Sequence, residues 1–172
     1  MSMQQWLLCL LGIKDDGPLV LDLGTEYGHT GESIRGFLPS SHIVGVEVHE
    51  PTLQACREDR GHVYNNLVLC DALKFLRKTE RKWDAIIAAE LIEHLTKEDG
   101  KRLCTLVTKR SKAAILTSPI GFAPQGQIEN NPHQEHISGW VPEELEKLGF
   151  KSFAQVYFGY TLGVYYWSEK PI

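Results

Sequence analysis

Five short runs of apolar residues recur along the first two thirds of the chain: Leu19–Leu23, His42–Val48, Leu67–Cys70, Trp83–Ala89 and Ala113–Thr117. They are apolar throughout rather than alternating, as in strands buried on both faces. Between them lie segments that read as helices: Ser33–Leu38, Thr52–Asp59 behind Pro51, Ala72–Lys78, and a longer one that starts after Thr96. Thr96 with Asp99 three residues later makes a capping box for that last helix. An amphipathic helix around Trp6–Leu11 precedes the first strand and is closed by Gly17-Pro18. Strands alternating with helices predict an α/β protein, a doubly wound, mostly parallel sheet between two helical layers.

The last third changes character. Pro142–Leu148 predicts a helix, with proline near its start and Gly149 just past its end. Two strands, Phe153–Phe158 and Val164–Ser168, lie too close together for a crossover, which predicts an antiparallel C-terminal hairpin. Residues 120–139 show no period and are rich in Gly, Pro, Asn and Gln. Unstructured loops this long are uncommon in compact domains unless functional or disordered, so this segment is expected to be a lid. With no repeat, low-complexity tract or linker, residues 1–172 are expected to form a single domain.

Composition narrows the function. Eighteen basic against 22 acidic residues give a net charge of −4, and only short basic clusters occur, at Arg77–Lys82 and Lys109–Lys112. Nucleic acid is therefore not a favoured partner. Cys9, Cys56, Cys70 and Cys104 form no C-x-x-C pair, so neither a disulfide framework nor a zinc site is expected and a cytoplasmic setting is. The Trp6–Leu11 run is too short to span a membrane and lacks the flanks of a signal peptide, so no membrane partner is expected.

In an open parallel sheet, ligands bind at the carboxyl ends of the strands. There the chain places Asp22 to Gly28, then Glu47, Asp71 and Glu90. Gly24 and Gly28 allow a tight turn beneath a nucleoside. Glu47, about 20–25 residues past that turn, suits a pair of ribose hydroxyls, and Asp71 suits an exocyclic amine. Each alone reads equally as a strand-to-helix turn, a solvated strand end or a helix cap; together they point to a nucleoside cofactor.

Val20-Leu21-Asp22-Leu23-Gly24-Thr25-Glu26-Tyr27-Gly28 resembles the first motif of class I S-adenosylmethionine-dependent methyltransferases. Val44-Gly45-Val46-Glu47, Cys70-Asp71-Ala72, and Trp83-Asp84-Ala85-Ile86-Ile87 followed by Glu90-Leu91-Ile92-Glu93-His94-Leu95 are similar to the later ones. More narrowly, the chain is similar to small single-domain bacterial and phage members, through Glu93–Gly100 and Asn131–Trp140. The resemblance implies a seven-stranded Rossmann-like methyltransferase fold. It also implies S-adenosylmethionine as cofactor, held by Asp22, Gly24, Thr25, Glu26, Gly28, Glu47, Val48, Asp71, Ala72 and Glu90. The family turn usually has glycine where this chain has Glu26, so an angle only glycine tolerates is not expected there, and a carboxylate enters the site.

His94 and His136 are the candidate catalytic residues, since a histidine can take a proton from an acceptor hydroxyl near neutral pH. For His94 the plainer alternative is capping or packing under the next helix. Glu90, Glu93, His94 and His136 also resemble the metal-binding pattern of methyltransferases that modify small-RNA 3′ ends. A Glu-His pair after the fourth strand is frequent in class I members that bind no metal, however, and a metal-free site is the expectation. The acceptor is expected to be a small molecule or saccharide. A nicotinamide dehydrogenase is disfavoured because Gly24, Gly28 and Gly31 do not make G-x-G-x-x-G. A non-catalytic binding module is kept open by Glu26, and metal-dependent 2′-O-methylation of an RNA end by the Glu–His pattern.

Overall fold

The structure, a computed structural model, describes residues 2–157 and 159–170. Strands β1 (Leu19–Leu23), β2 (His42–Glu47), β3 (Asn66–Leu69), β4 (Trp83–Ala89), β5 (Ser111–Pro119), β6 (Lys151–Tyr157) and β7 (Tyr160–Ser168) form one sheet in the order β3-β2-β1-β4-β5-β7-β6. β1 to β5 run parallel, and β7 pairs antiparallel with both β5 and β6. The helices are α1 (Met3–Leu10), α2 (His29–Phe37), α3 (Glu50–Arg60), α4 (Ala72–Lys78), α5 (Lys97–Arg110) and α6 (Pro142–Glu146).

Alternate strand residues feed two separate cores, as the two-residue period of a strand requires. Leu21, Leu23, Ile86, Ala88, Ala114 and Leu116 pack against Leu73, Leu76, Leu103, Val107 and Leu145 of α4, α5 and α6. Val20, Ile43, Ala85, Ile87 and Ile115 pack on the opposite face against Leu7, Leu8, Ile34 and Cys56 of α1, α2 and α3. The layers are helix, sheet and helix, as the alternation predicts. Among the described residues no helix is long and apolar enough to cross a membrane.

Helix α2 begins four residues before the Ser33 start that the sequence suggests. Gly28, in the left-handed region at φ 87°, is its N-cap, so the turn after β1 runs straight into the helix. A Cβ at Gly28 would lie 2.9 Å from the Cys56 sulfur, which closes that position to larger residues. Helix α3 begins at Glu50, placing Pro51 inside its first turn, where a missing N–H costs nothing. The hairpin is longer than expected because β7 starts at Tyr160 and follows β5 as far as Pro119. The expected end of its first strand, Phe158, lies outside the described residues.

Residues 120–139 are more structured than their composition suggests. The ends of the segment meet, Gly121 and Trp140 exchanging backbone hydrogen bonds of 2.6 and 3.2 Å. Trp140 is buried, its indole N–H shared between the Ile92 carbonyl at 3.0 Å and Ser138 Oγ at 2.9 Å. Its ring lies so close to α5 that a Cβ on Gly100 would stand 2.3 Å away. Along the segment the amides of Ile137 and Ser138 donate to the Glu93 carbonyl at 2.9 and 3.1 Å. A loop with few apolar residues is thus fastened at one end by a single large one.

Candidate functional site

The sheet order reverses direction between β1 and β4, the place where ligands bind in doubly wound sheets. A cleft of about 880 Å³ opens there. Of the residues expected to hold the cofactor, Gly24, Thr25, Glu26, Glu47, Val48, Asp71, Ala72 and Glu90 line it. Asp22 and Gly28 do not: Gly28 shapes the turn from beneath, and Asp22 is fully buried.

Asp22 Oδ2 accepts from the Tyr64 hydroxyl at 2.7 Å, while Oδ1 has no hydrogen-bond partner among the described residues. Burial pushes its carboxyl up to about 7, against the Tyr64 hydrogen bond, with the Glu47 charge adding to the rise. Tyr64 in turn is pushed well above the usual phenol range, chiefly by burial. Asp22 therefore supports the turn rather than facing a ligand.

Glu47, at the end of β2, is also buried but differently placed. Its Oε2 accepts from the Glu26 amide at 3.1 Å, and Oε1 from the Val48 and His49 amides, both at 2.9 Å. Three backbone donors thus aim one carboxylate along the cleft wall, and the first of them belongs to the turn after β1. Asp71 caps α4 through Lys74 N at 2.7 Å, so at this position the helix-cap alternative holds alongside a place on the cleft wall.

Glu26 takes a left-handed angle, φ 47°, which glycine adopts freely but an L-residue can also hold. The turn passes through that region whatever residue occupies it, and an L-residue can follow at a cost of roughly 1–2 kcal/mol. Burial pushes the Glu26 carboxyl above its usual range, and the charges of Glu47 and Glu90 push further. Glu90 is left-handed too, at φ 49°. Its amide donates to Thr117 Oγ1 at 3.0 Å and to the Thr117 carbonyl at 2.9 Å, and its carboxylate accepts from the Tyr160 hydroxyl at 3.0 Å.

His94 and His136 also line the cleft. Their rings meet edge to face, centroids 4.8 Å apart. His94 stands on the 3₁₀ turn Ile92–His94 after β4, and His136 comes from the 120–139 segment. Burial holds the His94 imidazole below its usual range, opposed by the Glu135 and Glu90 carbonyls near its ring. Beside them Glu93 is buried, and neither carboxylate oxygen finds a hydrogen-bond partner among the described residues. Burial pushes that carboxyl up to about 8. Ligand atoms of Glu93, His94 and His136 all lie within 4.8 Å of one another.

Residues 20–112, more than half of the chain, match the methyltransferase-domain family. The chain belongs to that family. The methyltransferase shares its fold with solved structures at low sequence identity. A magnesium protoporphyrin IX methyltransferase from Synechocystis PCC 6803, solved with bound SAM, superposes with a TM-score of 0.65 at 16% identity, over 95% of this chain and 74% of that one. A SAM-dependent methyltransferase from Clostridium acetobutylicum ATCC 824 gives 0.69 at 13% identity, over 96% and 91%. One from Archaeoglobus fulgidus gives 0.64 at 21%, over 90% and 72%. No curated protein matches the sequence. The seven-stranded order with its reversed last strand is the class I, Rossmann-like methyltransferase fold.

Several contributors to the methyltransferase site have no local signal in the sequence. Tyr64 meets Asp22 across 42 residues, and Tyr160 meets Glu90 across 70. Ser2, Met3 and Gln155 also line the cleft, brought there by α1 and β6.

Proposed function

We propose that this methyltransferase transfers the methyl group of S-adenosylmethionine to a hydroxyl of a small-molecule or saccharide acceptor held between the Glu26–Glu47 turn and the His94–His136 pair. The observation that carries the reading is one continuous cleft with both groups of residues on its wall. Its volume of about 880 Å³ lies within the ~300–1,000 Å³ usual for small-ligand sites.

The residues present fit the cofactor. The Glu47 carboxylate, already aimed by three amides, is placed to accept from ribose hydroxyls, and Val48 and Ala72 offer apolar surface beside Asp71 for a base. Glu26 and Glu90 put two carboxyl groups on the cleft wall, a lining that favours a cation. The bound cofactor supplies a methyl group on a positively charged sulfur that is already a good leaving group. The chain's part is then to position an acceptor oxygen and to receive or relay its proton. His94 and His136 are the groups at hand for both tasks. A net charge of −4 works against a nucleic-acid acceptor, and four free cysteines suit a reducing, cytoplasmic setting. Residues 1–172 form one catalytic domain in this reading.

Product formation from methyl-labelled S-adenosylmethionine, screened over sugars, nucleotides and small hydroxy acids, tests the reading. Transfer to a sugar or small hydroxylated molecule supports it. Calorimetric titration showing no affinity for S-adenosylmethionine would defeat it and favour a binding module.

A further inference from the structure

We propose that Glu93, His94 and His136 form a divalent-metal site at the acceptor end of the cleft, a set of two imidazoles and one carboxylate. This replaces the metal-free expectation drawn from the sequence, and three independent observations lead to it.

The first is proximity. The three residues bring ligand atoms within 4.8 Å of one another, from two parts of the chain about 40 residues apart. Nitrogen and oxygen ligands at ~2.0–2.2 Å from one ion stand roughly 3–4 Å apart, so closure onto an ion needs a contraction of about an ångström.

The second is the orientation of the rings. His136 Nδ1 lies 2.6 Å from the Ala123 carbonyl, and His94 Nδ1 lies 3.1 Å from the Glu135 carbonyl. A carbonyl only accepts, so each ring carries its proton on Nδ1 and presents Nε2 as the lone-pair nitrogen. Imidazoles that bind metal are held this way, one nitrogen on the ion and the other donating to a carbonyl or carboxylate. With both donor protons spent on carbonyls, the two neighbouring rings, centroids 4.8 Å apart, are left with their Nε2 lone pairs as the groups free to bind an ion.

The third is Glu93. It is 2% exposed, and neither carboxylate oxygen has a hydrogen-bond partner among the described residues. An unpaired buried carboxylate is costly, and such groups are normally paired or bound to metal. Its backbone carbonyl is where the Ile137 and Ser138 amides dock, so the same residue whose carboxyl lacks a partner also fixes the segment that delivers His136.

Glu90 is not part of the set. Its carboxylate is engaged by Tyr160. Two imidazoles and one carboxylate suit Mn²⁺, Fe²⁺, Co²⁺ or Zn²⁺ rather than Mg²⁺ or Ca²⁺, which prefer oxygen alone. His94 and His136 line the cleft and Glu93 stands behind them, so the open coordination positions face the acceptor. Acceptors with two neighbouring oxygens, a vicinal diol or a hydroxy acid, would complete the shell. That last step rests on the methyltransferase reading; the ion site does not.

The full chain, stripped with a chelator, is titrated with Mn²⁺ by calorimetry and with Co²⁺ by visible absorption, without cofactor or acceptor. One equivalent of each ion should bind, with d–d absorption of a nitrogen- and oxygen-ligated Co²⁺. His136→Ala and Glu93→Gln should each weaken Mn²⁺ at least 100-fold, and Glu90→Gln should change it less than threefold. His136 lies in a loop, so its variant keeps the test open if the Glu93 variant does not fold. Absence of binding by the folded native protein, or affinity unchanged in a folded His136 variant, overturns the site. S-adenosylmethionine affinity is measured on the same samples. Ion binding without cofactor binding sustains the site and removes the methyltransferase reading; cofactor binding without ion binding does the reverse.

Discussion

The two ends of the cleft are built on different principles. At the cofactor end, strand termini and backbone amides do the placing: Glu47 is fixed by three N–H groups, and the turn that supplies one of them is fixed by Gly28. Around the histidine pair, where we propose that the acceptor binds, side chains from distant segments meet, and backbone carbonyls orient them: Ala123 and Glu135 hold the two histidines, and Trp140 fastens the loop that carries one of them. The first end is a property of the fold and needs little beyond it. The second depends on one loop and its anchor, so it can change its chemistry without disturbing the sheet.

The sharpest way to break this contrast is His136→Ala. If the two ends act separately, turnover should fall about 100-fold or more, as expected when a group that positions the acceptor, directly or through a bound ion, is lost, while cofactor affinity stays within about twofold. Single-turnover rates and calorimetry on the same preparation check both. Equal losses in the two would show that the loop belongs to the cofactor site as well.

Next in size is the buried charge under the turn. The folded-state pKa of Asp22 is raised to about 7 from 3.8, so the folded protein binds the proton more tightly than the unfolded chain does. The associated stability is fully present below about pH 4 and is lost as pH rises through about 7. Asp22→Asn keeps an acceptor for Tyr64 and removes the titration. At 1.36 kcal/mol per unit, its advantage over the native protein should grow between pH 4 and 8 by at most about 4 kcal/mol. Denaturant unfolding of the free protein at both pH values measures it, and a pH-independent difference would show that the carboxyl ionises normally.

Glu47→Gln should act on the cofactor end alone. Its amide N–H₂ would face the donors of Glu26, Val48 or His49, and a hydrogen bond to a charged group contributes about 1.5–3 kcal/mol. Affinity for S-adenosylmethionine should fall at least about tenfold, with a smaller loss of turnover once the cofactor saturates. An unchanged affinity would take Glu47 out of the site.

The same contrast explains what the sequence made legible. Buried parallel strands announce themselves as apolar runs, and β4 and α4 fall on the residues their patterns mark, Trp83–Ala89 and Ala72–Lys78. The strand-end acids follow from the strands, so eight of the ten expected cofactor residues line the cleft. Asp22 misses because its position in the motif does not reveal which face of β1 it occupies or that Tyr64 covers it. Glu26 was read for its side chain, whereas the turn's path sets its φ. Around the histidines the resemblance groups Glu90, Glu93, His94 and His136 as a metal-binding-like pattern, without showing which of them meet. That Glu93 and the two histidines converge, and that the loop closes on itself through Gly121 and Trp140, are consequences of tertiary placement.

The smallest effect expected is at the junction of the two ends. Glu26 Oε1 lies 3.4 Å from Gln134 Nε2, and Tyr27 hydrogen-bonds Glu129, both exposed contacts between the turn and the 120–139 segment. Glu26→Gly would relieve a left-handed angle costing roughly 1–2 kcal/mol, but glycine also frees the unfolded chain by about 0.4–1 kcal/mol. The net stability change should therefore stay within about 1.5 kcal/mol and favour the variant. Losing a long, solvent-exposed hydrogen bond should leave amide exchange across residues 120–139 unchanged within about threefold, because Trp140 and the Glu93 carbonyl remain as anchors. Exchange there that accelerated more than tenfold, with the strands unaffected, would mean that Glu26 holds the loop. The turn and the loop would then be a single coupled unit, and the separation of the two ends would be abandoned.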